Sequence, residues 1–223
     1  MGADGTSGLI LWTFDWVPVG PRGYVRDLRL RWACEEAGLD YQVRSVPFQD
    51  RGPDHFAQQP FGQVPFLTDG PVRIFESGAC LLHLAEQSET LMPQDNGQRA
   101  ETVSWIFSAL NSVEMVSLPW WFVGLANLAE NPLDDWLRAR LDRVEHVLAA
   151  RDWLAAERFT AADLIMADVL RLPWVRSLGD YPATDTYVAR VCERPAFQRA
   201  HADQIAHFAR ADATPAGQPA GKG

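Results

Sequence analysis

The stretch that most limits what this chain can fold into is residues 61–86, FGQVPFLTDGPVRIFESGACLLHLAE. Two short apolar runs, 64–68 and 72–75, are separated by Asp69-Gly70-Pro71. Turn formers between two β-favouring runs predict a hairpin. Pro65 stands at the entry to the first run, where a missing N–H does least harm. Directly after the second run, Glu76-Ser77 opens a helix whose apolar face is Gly78, Leu81, Leu82 and Ala85, at i, i+3, i+4 and i+7. A carboxylate and a hydroxyl therefore sit where backbone N–H groups are unpaired and the helix dipole is positive. Such a place suits a small zwitterionic ligand.

The rest of the chain bounds what that stretch can belong to. The chain has 223 residues, enough for a substantial core and one or two domains. A formal net charge of −9 disfavours general nucleic-acid binding and attraction to an anionic membrane. No apolar run approaches the ~18 residues of a membrane span. The first residues, MGADGTSG, lack the basic and apolar regions of a secretory signal. The three cysteines, Cys34, Cys80 and Cys192, are odd in number and scattered, which fits a reducing cytoplasm better than a disulfide framework. The histidines show no metal-ligand spacing, and there is neither a Gly-rich phosphate loop nor a hydrolase elbow.

In chain order, residues 9–12 read as a first strand and 13–23 as a loop with two prolines and two glycines. Residues 24–38 read as a helix striped by Leu30, Ala33, Cys34 and Ala37, with Gly38 as its stop. Residues 41–46 read as a second strand, and Pro53 opens a short helix. With the hairpin and helix of 61–86, the order is β-α-β-α-β-β-α. It predicts a four-stranded mixed sheet with helices on both faces. Residues 88–97 are polar and turn-rich, a domain linker. Beyond them the pattern is helical: a stripe of Val103, Ile106, Phe107, Leu110 and Val113, a break or kink at Pro119, and a stripe of Leu133, Leu137, Leu141, Val144 and Leu148. Thr160 with Asp163 reads as a capping box, with Phe159 stapling to Leu164. The expected division is a flexible 1–8, an α/β domain over 9–87, the linker, an all-helical domain over 98–208 and a disordered tail over 209–223.

The α/β order, with a proline before the third strand, is the thioredoxin-like layout. RLRWACEEAGLDY, GQVPFL followed by DG, FES opening the third helix and FTAAD occur in that order along the chain. Together they resemble the cytosolic glutathione transferases, as a bacterial member of no assigned class. The resemblance covers roughly residues 9–208 and implies a thioredoxin-like domain followed by an all-α domain. It implies that the Val64–Pro65 bond is cis and that glutathione is the co-substrate, with no metal. Val64 would then offer its backbone to the cysteinyl part, with Gln63 and Pro65 beside it. Glu76 would pair with the γ-glutamyl ammonium, and Ser77 would bind the adjoining carboxylate. Arg51 or His55 would meet the glycyl carboxylate. A simple helix cap is the alternative reading of Glu76-Ser77.

Conjugation needs a thiolate, and a free thiol has a pKa near ~8.5. A helix N-terminus and one hydroxyl donor can lower it by about two units, roughly 2.7 kcal/mol. Alignment on RLRWA puts Tyr24 at the donor position, and alignment on the strand end puts Thr13 there. Arg22 is a third candidate. Phe14, Trp16, Met115, Trp120, Trp121 and Phe122 are candidates for the electrophile's wall, or else core or dimer contacts. Cys34 and Cys80 read as buried, inert thiols, which speaks against a cysteine-based thiol–disulfide class. The expected function is attack of glutathione thiolate on a small apolar electrophile, as in detoxification, by a cytoplasmic homodimer without nucleic-acid or membrane partners. The alternatives are a glutathione-dependent isomerase of the same fold, or a non-catalytic binding or interaction protein.

Overall fold

A computed structural model describes residues 8–126 and 129–212. Almost all of segment 1–8, and residues 213–223 of the expected tail, lie outside the described residues. The described chain runs β1 (Leu9–Phe14), α1 (Asp27–Ala37), β2 (Tyr41–Val46), α2 (Pro53–Gln58), β3 (Phe66–Asp69), β4 (Val72–Phe75) and α3 (Ser77–Ala85). Helices α4 (Asn96–Ser108), α5 (Met115–Gly124), α6 (Asp134–Leu148), α7 (Ala161–Leu170), α8 (Pro182–Cys192) and α9 (Pro195–Asp212) follow.

The sheet order is β2-β1-β3-β4. β1 and β2 are parallel, and β3 is antiparallel to both β1 and β4. That is the mixed sheet expected from the β-α-β-α-β-β-α order, because a crossover through α1 gives a parallel pair and a tight hairpin an antiparallel one. The β3–β4 turn needs left-handed backbone, which Gly70 supplies at φ +56°. Registers sort the side chains by face, because directly opposed residues point the same way. One face carries Ile10, Trp12 and Phe14 with Arg44, Val46, Phe66, Thr68 and Arg73. The other carries Leu9, Leu11, Thr13 and Leu67, all buried.

Two compact units divide the chain, and the division falls inside α3, after Leu81. The first unit contains the sheet and also α9 from Ala196 onward. This departs from the expected helical domain over 98–208. The reason lies in side chains that α9 sends back to the sheet and α1. Phe208 is fully buried in a core with Phe14, Val17, Val46 and Phe66. Gln204 Nε2 donates to Asp27 Oδ1 at 2.6 Å, and Arg31 is ion-paired with Asp203. Trp32 and Phe197 pack edge to face at 4.8 Å. Residues 209–212, expected within the tail, are the last turn of α9.

The second unit, residues 82–195, is helical among its described residues. Pro119 lies inside α5 rather than at its end. The disturbance appears one turn upstream: Ala109–Glu114 is wound as π-helix, directly before Met115, whose carbonyl Pro119 cannot serve. The capping box forms as read, with Thr160 N–H donating to Asp163 Oδ2 at 2.9 Å. Leu91 and Met92, in the expected linker, are buried, and the Leu91 carbonyl accepts from Ala161 N–H at 2.9 Å. Arg158 adds bonds to the carbonyls of Glu89 and Thr90. The polar linker is therefore tied to the start of α7.

Candidate functional site

The hairpin register assembles the site. Phe66 pairs with Phe75, so residues 64–65 entering β3 and residues 76–77 leaving β4 emerge at the same end of the hairpin. Opposed residues of such a pair lie ~5 Å apart at Cα, so the two segments are within a short peptide's reach of each other. The Val64–Pro65 bond is cis. Val64 is half-buried against the Phe14–Phe66 core. Its backbone N–H and C=O take no part in the hydrogen bonds among the described residues. An unpaired backbone donor and acceptor on a half-buried residue is unusual and is the expected edge for an added extended peptide.

Buried residues of α2 and its end hold this segment. His55 Nε2 is 2.9 Å from the Gln63 carbonyl oxygen, and the Gln59 side-chain oxygen accepts from the N–H groups of Phe61 at 2.6 Å and Gln63 at 3.1 Å. His55 therefore braces Gln63 from below, while Gln63's own side chain is exposed. Arg51 is exposed and stacks its guanidinium over the Phe14 ring at 4.9 Å.

On the other side of the pair, Glu76 is exposed with φ +70°, a left-handed conformation that a non-glycine residue adopts only under constraint. Ser77 begins α3 and is buried. Its Oγ accepts a bond from Arg29 Nη1 at 3.0 Å, and Arg29 is itself 1 % exposed. Sequence reasoning missed Arg29. The run Arg26-Asp27-Leu28-Arg29-Leu30-Arg31 looks like a solvated helix start. In fact Asp27, Arg29 and Arg31 are all buried. The available signal was Asp27 and Arg31 at i, i+4, which pair at 2.8 Å. Burial pushes the Asp27 carboxyl up despite the opposing pull of Arg31.

The candidates for thiol activation do not converge. Thr13 is fully buried on the α1 side of the sheet, its hydroxyl turned toward the Asp27 carboxylate. That burial sets Thr13 apart from the half-buried Tyr24. Arg22 is committed to the last turn of α9: Nη1 and Nη2 bond the Asp212 carboxylate at 2.5 and 2.8 Å, while Nε and Nη2 reach the Val17 carbonyl. Asp212, beside Arg22 and Trp16, is pulled down to about 2. Tyr24 is half-buried, in the turn three residues ahead of α1 rather than in the helix.

The expected electrophile wall is also revised. Phe14 belongs to the buried core, and Trp16 Nε1 donates to Asp212 at 2.8 Å, so both are structural in the first unit. Met115 is exposed on α5. Trp120 is anchored, its Nε1 donating to Asp134 at 2.6 Å, and Trp121 packs edge to face with exposed Phe122 at 5.0 Å. Burial pushes the thiols of Cys34 and Cys80 up to about 12 and that of Cys192 up to about 11, so none is a ready nucleophile. No described helix is long and apolar enough to cross a membrane.

Comparison with known proteins agrees with this geometry. Residues 19–86 match the family described as glutathione S-transferase, N-terminal domain, and residues 133–195 match glutathione S-transferase, C-terminal domain. Glutathione S-transferase 1 of Zea mays is 29% identical over 189 residues, covering 77% of this chain and 88% of that one. Disulfide-bond oxidoreductase YfcG of Escherichia coli is 28% identical over 184 residues, covering 73% and 83%. A glutathione transferase from Pseudomonas putida, solved with one glutathione disulfide bound per subunit, shares the fold at a TM-score of 0.73. It has 24% identity, over 89% of this chain and 93% of that one. With matching N- and C-terminal domains, a thioredoxin-like sheet and a helical second unit, the chain belongs to the glutathione S-transferase family.

Proposed function

We propose that the chain binds glutathione between Val64 and the start of α3 and uses its thiolate to attack a small apolar electrophile. The observation that carries this reading is Val64's unpaired backbone N–H and C=O, held beside the Glu76-Ser77 turn by the Phe66–Phe75 pair. Val64 pairs with the cysteinyl backbone as an added strand would. Ser77 N–H, its hydroxyl and the α3 dipole hold the γ-glutamyl carboxylate, and Glu76 takes the ammonium. Because Arg29 donates to Ser77 Oγ, the hydroxyl hydrogen is free to point at that carboxylate. Gln63 lies alongside, and Arg51 is the cation for the glycyl end. Tyr24, which keeps partial exposure, is the remaining hydroxyl candidate for the thiolate. The protein acts in the cytoplasm as a homodimer, and exposed Val72 on edge strand β4 offers part of a self-complementary surface.

A second reading is favoured by the name of a relative, a disulfide-bond oxidoreductase. With all three protein thiols pushed up, the nucleophile must again be glutathione. One glutathione thiolate attacks a substrate disulfide and expels a thiolate. A second attacks the mixed disulfide, giving glutathione disulfide and the second free thiol.

Calorimetry tests the shared step. Wild type should bind glutathione, and Glu76→Ala should bind at least tenfold more weakly. No binding by folded wild type overturns both readings. Turnover of a chromogenic aryl halide, against reduction of a small dialkyl disulfide by glutathione, then separates the two.

A further inference from the structure

The sheet face opposite Leu11 and Thr13 is only partly covered. At one end Phe14 packs with Val17 and Phe208 in the core, and Val46 and Phe66 reach from that core to the cavity wall. Toward the start of β1 that cover ends, and a cavity of about 320 Å³ opens over Ile10, Trp12 and Thr68, with Asp54, His55 and Gln58 of α2 along one side. Its size is at the lower end of the ~300–1,000 Å³ range of small-molecule sites, and a mainly apolar lining with few polar groups is their usual character.

The registers explain how it is built. Arg44 on β2 opposes Trp12, and Arg73 on β4 opposes Thr68, so a guanidinium rises from each outer strand beside an apolar floor on the two central ones. Trp12 stacks on Phe66 at 5.3 Å, lies under Arg44 at 6.0 Å and donates from Nε1 to Thr68 Oγ1 at 3.4 Å, so the indole is a fixed aromatic wall of the cavity. Neither Arg44 nor Arg73 has a carboxylate partner among the described residues. Asp54 is the one carboxylate in the lining. The floor is apolar and aromatic, and the rim carries two guanidinium groups against one carboxylate. Val64, Glu76, Ser77 and Arg51 do not line the cavity; His55, which braces Gln63, lines it from the α2 side.

We propose that this cavity binds a flat aromatic carboxylate, its ring over Ile10 and Thr68 and edge-on to Trp12, its anionic group paired with Arg44 or Arg73. A guanidinium matches a carboxylate bidentately, and an aromatic edge packs favourably against a ring face. This site is independent of the glutathione reading.

Calorimetry on the whole protein with naphthalene-2-carboxylate and its neutral counterpart 2-naphthylmethanol tests the proposal. The carboxylate is expected to bind at least tenfold more tightly than the alcohol. Arg44→Gln/Arg73→Gln should weaken the carboxylate at least tenfold and the alcohol little. Both arginines are exposed and make no side-chain hydrogen bond or ion pair among the described residues, so the variant should fold normally. Trp12→Leu should weaken both probes. Saturating S-methylglutathione should leave carboxylate binding unchanged. No binding at millimolar carboxylate, unchanged binding in the double variant, or displacement by S-methylglutathione overturns the proposal.

Discussion

Arg29 Nη1 donates to Ser77 Oγ across 3.0 Å, joining a buried guanidinium on α1 to the first residue of α3. A guanidinium donating to the first hydroxyl of a helix orients that hydroxyl toward the helix N-terminus, where an anion would bind. Arg29→Leu should weaken glutathione binding by about tenfold, roughly 1.4 kcal/mol, read by calorimetry on a variant shown to be folded by circular dichroism. Affinity unchanged in the folded variant would show that Ser77 needs no such support.

Glu76 predicts a trade between stability and binding. Its φ of +70° is strained for a residue with a Cβ and relaxed for glycine. Glu76→Gly should raise unfolding free energy by about 1 kcal/mol in urea titration while lowering glutathione affinity at least tenfold. A variant that loses both stability and affinity would mean that Glu76 serves to cap α3.

Asp27 and Arg31 form a buried pair at 2.8 Å, each side chain 1 % exposed. Arg31→Met leaves the Asp27 charge unpaired and should cost about 3–5 kcal/mol. The double replacement Asp27→Leu/Arg31→Met should cost less than the single one, because no buried charge then remains. Equal losses in urea unfolding would show that the pair acts through packing alone.

Much of this was legible in sequence, and the rest was hidden for identifiable reasons. The hairpin was readable because Asp69-Gly70-Pro71 separates two β-favouring runs, and the α7 cap because Thr160 and Asp163 stand three apart. Arg29 misled because arginine is rarely buried without a partner, and Ser77, to which it bonds, lies 48 residues away; Arg31 has Asp27 four residues away, but its second partner, Asp203, lies 172 residues away. The placement of α9 was hidden for the same reason. Its stripe reads as one more bundle helix, and only Gln204, Phe208 and Asp212 meeting Asp27, Phe14 and Arg22 reveal where it packs. Thr13 looked available because a strand end is usually open; here α1 covers that face.

Asp163 carries a pH signature. Burial pushes its carboxyl from 3.8 up to about 6, against bonds from the N–H groups of Leu154 and Thr160 and the Tyr187 hydroxyl. Its folded pKa lies above the unfolded one, so its contribution is fully present below about pH 3.8. It is lost as pH rises through about 6, a span worth ~3 kcal/mol. Urea unfolding of wild type and Asp163→Asn should therefore favour wild type progressively more at pH 4.5 than at pH 7. A difference flat across that range would contradict the burial of a charged Asp163.

The central claim is that the Phe66–Phe75 pair holds two halves of one peptide clamp, Val64 on one side and Glu76-Ser77 on the other. A crystal structure of the protein soaked with glutathione tests it most directly. The cysteinyl N–H and C=O are expected within ~3 Å of the Val64 carbonyl oxygen and amide nitrogen, with the γ-glutamyl carboxylate on Ser77. Glutathione bound elsewhere, with Val64 still unpaired, would contradict it.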